Sequence, residues 1–131
     1  LELYRIHDSF LPPRTLTDRL EVRVGYQWRA STDEDWNFGN ITFVHNVDMR
    51  PDYLAPQPKR KPSAFKQEQQ RQDELYRHWE SLVTHSLLSV REYLNSGRDP
   101  VAIPETFEIP LDPHSRYLNN FSCRFWQDNS V

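Results

Sequence analysis

From Leu75 to Gly97 the apolar residues fall at three- and four-residue steps: Leu75, Tyr76, Trp79, Leu82, Val83, Leu87, Val90, Tyr93 and Leu94. That spacing gathers side chains on one side of an α-helix, and nothing else in the chain restricts the fold as strongly. Asn95-Ser96-Gly97 stops the pattern, with Gly97 suited to the left-handed residue that closes a helix. Upstream the helix runs back to Pro62-Ser63, where Ser63 is the expected N-cap. Ala64 to Asn95 is 32 residues, or about 48 Å of helix at 1.5 Å per residue. A compact chain of 131 residues is only about 35–40 Å across, so the helix outruns its body. Lys66 to Glu74 contains no apolar residue, and this part is expected to project, fray or kink away.

A stripe that wide forms one wall of a core, and strands must supply the other. Leu20, Val22, Val24, Tyr26, Trp28 and Ala30 alternate with Glu21, Arg23, Gly25, Gln27 and Arg29, the signature of a strand with one dry and one wet face. Leu1 to Ile6 reads as a short strand before Pro12-Pro13. Ile41 to Val47 reads as the hairpin partner of Leu20–Ala30, across turn chemistry at Asn37-Phe38-Gly39-Asn40. Met49 to Ser63 is a long proline-punctuated loop. Beyond the helix, Val101 to Leu111 carries Pro104 and Pro110, which confine it to an edge strand or an irregular strap. Tyr117 to Trp126 is expected as the last strand, with Tyr117, Phe121, Cys123 and Phe125 on one face, before a polar tail. The expected fold is therefore a two-layer α+β domain spanning residues 1–131. A curved, mainly antiparallel sheet of four or five strands packs on one long helix, in the order β-β-β-α-β-β.

Hydrophobic content of 37% and mean hydropathy of −0.84 are low, but aromatic content of 13% offsets this, because each ring buries roughly 150–250 Å². A net charge of −3 gives no global attraction to nucleic acid or anionic membrane. No apolar run approaches a membrane span, and Cys123 is the only cysteine. A lone thiol favours a reducing compartment and rules out an intrachain thiolate zinc cluster; a cytoplasmic location is expected. Cys123 itself should be inward-facing and inert.

The chain holds no chemical motif of high specificity. Glu74, His78, His85 and Glu92 share one helical stripe, but His78 and His85 are seven apart rather than the four of paired helical ligands; a solvated face is expected. His7-Asp8, Asp33-Glu34-Asp35, His45 to Asp48 and Asp112-Pro113-His114 carry acid–base groups with no spacing that makes them converge. No catalytic residue, metal ligand or cofactor is therefore assigned. Arg19, Arg23, Arg29 and Arg124 mark the wet face of the sheet. The aromatic residues are all expected on the opposite face, so that face should be plainly solvated, without the stacking that single strands need. Asn40-Ile41-Thr42 and Asn120-Phe121-Ser122 match the glycosylation sequon by number of Asn alone and carry no weight.

Two sets of residues remain as candidates. Trp28, Phe43, His45, Trp79, Tyr93 and Phe125 would line the space between helix and sheet, as core packing or as a ligand pocket. Leu88 falls in the middle of the polar helix face with Arg77 and Arg91, and suggests a subunit contact. Lys59-Arg60-Lys61 marks the 49–63 loop as a docking segment for a protein partner. The expected function is a non-enzymatic binding or adaptor protein, homo-oligomeric (a homodimer) through the helix and loop. An enzymatic or small-molecule pocket around His45 is the first alternative. Nucleic-acid association through the basic loop and the sheet arginines is the second and is disfavoured by charge.

Overall fold

The computed structural model describes residues 3–7, 10–47, 63–111 and 117–127. Strands β1 (Tyr4–Ile6), β2 (Arg19–Trp28) and β3 (Asn37–Asn46) precede helix α1 (Ala64–Asn95), a 3-10 turn at Pro100–Ala102 and strand β4 (Thr106–Glu108). They form one sheet in the order β1-β2-β3-β4. The first two pairings are antiparallel, with Tyr4 opposite Trp28 and Val24 opposite Ile41. β4 runs parallel to β3, with Phe107 opposite Phe43. The helix between these two strands reverses the chain a second time, so β4 re-enters in the direction of β3. The sheet is thus mixed, within the two-layer α+β architecture.

The alternation in β2 decides the layers. Leu20, Val22, Val24 and Tyr26 are buried under α1, joined by Ile41 and Phe43 of β3 and by Leu75, Trp79, Leu82, Val90 and Tyr93 of the helix. α1 begins and ends where its caps require. The Ser63 hydroxyl accepts from the Lys66 N–H, and Gly97 takes a φ of +79°. Residues 64–71 are exposed, and the Gln72 amide anchors the base of this overhang. Gln72 Nε2 donates to the Leu16 carbonyl at 2.8 Å, while its Oε1 accepts from the Leu16 N–H at 2.9 Å.

The expected fifth strand does not form. Within residues 117–126 the Ser122 N–H bonds back to Asn119 and the Arg124 N–H to Phe121, both at 3.1 Å. The physical reason is local. The Asn119 side chain accepts from the Phe121 N–H and the Ser122 hydroxyl from the Asn119 N–H, each at 2.8 Å. Short polar side chains that bond their own backbone compete successfully with a ladder. Tyr117 and Phe121 consequently lie exposed, although Cys123 is buried as expected.

This strap sets the rotation of the helix. It crosses the flank that carries His78, Ser86 and Ser89, and the Ser89 hydroxyl donates to the Cys123 carbonyl. Arg124 pairs with Glu92 at 2.7 Å. The buried arc, from His78 round to Val90, is turned by about 50° from the centre of the apolar residues at 100° per residue. Three polar side chains are therefore inside, whereas Tyr76 is exposed and Val83, Leu87 and Leu94 are only half-buried.

Candidate functional site

The six interior candidates face the core but do not converge: His45, opposite Leu20, stands at one end of the β2–β3 pair and Trp28, opposite Asn37, at the other. Phe43 and Phe125 have ring centroids 6.0 Å apart, and Tyr93 and Phe125 are 5.0 Å apart. Trp79 is buried and Trp28 half-buried. His45 is 7% exposed, and neither of its ring nitrogens has a hydrogen-bond partner among the described residues. Its ring centroid lies 6.0 Å from that of His78. Burial, and behind it the neighbouring imidazole of His78, hold the His45 pKa down at about 4 against an ordinary 6.5.

His78 is not on a solvated face. It is 1% exposed, stacked on Tyr117 at 4.9 Å and 10°, with Glu74 4.0 Å from its Nε2. The strap passing over this flank is what buries it. The carboxylates and imidazoles do not assemble into a group of three able to hold a metal ion among the described residues. Cys123 is 1% exposed, and burial pushes its thiol up to about 11, against a smaller opposing effect from the Ser86 hydroxyl.

On the back of the helix Leu88 is 47% exposed, with Arg77 and Arg91 also exposed. Lys59, Arg60 and Lys61 lie outside the described residues, as does the rest of the 49–63 loop up to Ser63. The half-covered flank of α1 offers a different line of apolar groups. Tyr76, Val83, Leu87 and Leu94 fall within about 40° of one another on the helix, spaced seven, four and seven apart. Phe65, 77% exposed on the overhang, continues the same line. Beside it stand Glu80 and Arg91, exposed and without an ion-pair partner among the described residues.

The outer face of the sheet departs from expectation. Phe38 faces outward opposite Gln27 and is 72% exposed. Trp36 sits at the end of the sheet between two guanidinium groups, with Arg5 4.5 Å and Arg29 4.0 Å from its ring centroid, a cation–π sandwich. The aromatic residues therefore do not all point inward. β3 begins four residues earlier than its alternating apolar positions suggest, because Asn37 pairs with Trp28, and this turns Phe38 to the wet side.

Two concavities adjoin Phe38. One, of about 320 Å³, lies over Gly25 and is bordered by Arg5, His7, Gln27, Phe38 and Asn40. The other, of about 600 Å³, follows the edge of β3 toward Arg23, Thr42 and Val101. Compared with family models, with curated proteins and with solved structures, the chain matches none. Its chemistry has to be read from these surfaces. The signal for the outer-face hollow was Gly25, a glycine inside an otherwise regular strand, which marks a close approach or an open space. Arg5 and Trp36 had no signal of their own, and His7 stood out only as an acid–base group.

Proposed function

We propose that the protein is a non-enzymatic binding module that works as a two-fold pair, with a second copy of the chain seated on the half-covered flank of α1. The observation that carries this reading is the spacing of the seam. Seven, four, seven reads the same from either end, which an isologous antiparallel contact requires. In such a pair Tyr76 faces the Leu94 of the second copy, Val83 faces its Leu87, and the axis passes near position 85. The charges agree with this register, since Glu80 then lies beside Arg91 of the other copy and Arg91 beside its Glu80. Contact over residues 76–94 runs about 27 Å along the helix, and helix anchors at these steps are a familiar recognition mode.

Leu88 and Arg77 lie round the helix from this seam, so self-association is assigned to the flank and to Arg91 rather than to the helix back. No helix among the described residues is long and apolar enough to cross a membrane. Cys123, buried and unpaired, suits a reducing cytoplasm, where we place the protein.

Sedimentation tests the pairing. At about 100 µM, a concentration suited to a micromolar interface, the chain should run as a dimer. Glu80→Arg should make it monomeric, and the double variant Glu80→Arg/Arg91→Glu should restore the dimer. A monomer at that concentration, or a double variant no better than the single one, overturns the reading.

A further inference from the structure

Strand β3 is paired along its whole length on one side only. β2 covers it from Asn37 to Asn46, whereas β4 covers Thr42 to Val44 alone. Strand alternation fixes which backbone groups turn to the side that β4 leaves open. The Thr42 N–H donates to the Glu105 carbonyl at 2.9 Å, and the Val44 carbonyl accepts from the Ile109 N–H at 2.8 Å. Even-numbered residues of β3 therefore face away from β2. Phe38 and Asn40 turn both N–H and C=O to the same edge, and neither has a backbone partner there among the described residues.

The chain leaves this edge for a local reason. In register with β4, residues 103 and 105 would bond Asn40. The 3-10 turn at Pro100–Ala102 takes the chain away instead, the Ile103 N–H donating to the Pro100 carbonyl at 3.2 Å while its side chain enters the core. The groove of about 600 Å³ is what this departure opens, and residues of both sheet faces border it, Tyr26 and Trp28 from the helix side and Phe38 and Thr42 from the wet side. Open edges in proteins are commonly blunted by a lysine, a proline or a bulge. Asn37 to Ile41 has none of these. Two apolar side chains that border the groove, Phe38 and Val101, stand 72% and 75% exposed. Arg23 and Glu105 both border it as well and offset each other, so charge does not select an ion. What the edge presents is a donor and an acceptor at every second residue, a pattern that another extended backbone matches.

We propose that this edge takes up an extended peptide segment of a partner protein as an added strand beside Asn37–Ile41. Phe38 and Asn40 exchange main-chain hydrogen bonds with it, the mode in which backbone supplies affinity and alternate side chains supply specificity. At about 3.3 Å per residue the open stretch holds a segment of about five residues. The residue opposite Gly39 is apolar and turns to the face of Tyr26 and Trp28. Its neighbours are uncharged and turn to the wet face beside Phe38 and Thr42. The strap packs Phe125 on Phe43 and Phe107, on the side of the molecule away from the half-covered flank of α1, so the peptide site does not depend on pairing of two copies.

The test uses a labelled, capped peptide of about seven residues, Thr alternating with Val and a terminal lysine for solubility, read by fluorescence anisotropy and by amide exchange. It should bind the wild type at about 1 mM or tighter and slow exchange of the Phe38 and Asn40 amides at least about tenfold. The same peptide methylated at its backbone nitrogens should bind at least about tenfold more weakly, because its donors are gone. Val101→Ser, at an exposed position, should weaken binding about threefold with the melting temperature unchanged. No binding at about 5 mM, or equal binding of the methylated peptide, overturns the proposal. So does slow exchange at Phe38 and Asn40 without peptide: at every dilution it would put another segment of this chain on the edge, and growing with protein concentration it would put a second copy there.

Discussion

His45 gives the sharpest stability prediction. Its ring is buried beside His78 with neither nitrogen bonded among the described residues, so the folded chain takes up a proton there only near pH 4. The unfolded chain takes one up near the ordinary 6.5. Between these values the unfolded state binds more protons, so stability falls as the pH is lowered through that window and loses nothing further from this group below it. At about 1.4 kcal/mol per decade the full loss is about 3 kcal/mol, a large part of the roughly 5–15 kcal/mol that holds a domain folded. His45→Leu removes the titrating group and replaces two unpaired nitrogen atoms with carbon, a change that is near neutral or stabilising by about 1 kcal/mol at pH 7. Urea denaturation of both chains from pH 7 to pH 4 is the assay. Carboxylates common to both chains cancel in the difference, so the variant should gain about 3 kcal/mol on the wild type across that range. Parallel stability curves would show that His45 is solvated or partnered, and the picture of an unsatisfied imidazole under the helix would be wrong.

Two further outcomes test the core. Gly39→Ala drives a methyl into the Tyr26 ring and should cost about 2 kcal/mol by chemical denaturation, as overpacking does; a value within about 0.5 kcal/mol of wild type would mean that the ring does not lie over the glycine. Cys123, with its thiol pushed up to about 11, should react with a thiol reagent at pH 8 at least about a hundredfold more slowly in the folded chain than in urea. Immediate stoichiometric labelling of the folded chain would contradict its burial under the strap.

The sequence was most legible where one local rule acted without competition. Ser63 and Gly97 delimit α1 because capping is a property of a few adjacent residues. The wet and dry faces of β2 follow from five apolar residues, Leu20 to Trp28, in strict alternation; Ala30, the sixth, lies past the strand's end and is exposed. Legibility failed where a local preference met an equally strong rival. Residues 117–126 alternate like a strand, yet Asn119 and Ser122 bond their own backbone and turn the segment into a strap. His78 looked solvated because helical periodicity assigns a face by composition and does not know which flank a later segment will cover. The outer-face hollow was half legible: Gly25 marked it, but the side chains around it come from three strands whose register no single strand specifies.

The strap and the seam are consequences of one rotation. With no strap, the helix would lower its free energy by turning about 50° to bring Tyr76, Val83, Leu87 and Leu94 onto the sheet and return Ser86, Ser89 and His78 to water. It does not, because the strap covers that flank: Ser89 bonds the Cys123 carbonyl, Ser86 lies 3.9 Å from the Cys123 sulfur, Tyr117 stacks on His78, and Phe125 and Trp126 pack on Tyr93. Partners on the strap offset the cost of burying the two serines, and burying polar groups on one flank leaves apolar area on the other. An incompletely covered seam is thus the expected counterpart of a strap built this way, and a second copy that covers it completes the burial that the chain alone leaves unfinished.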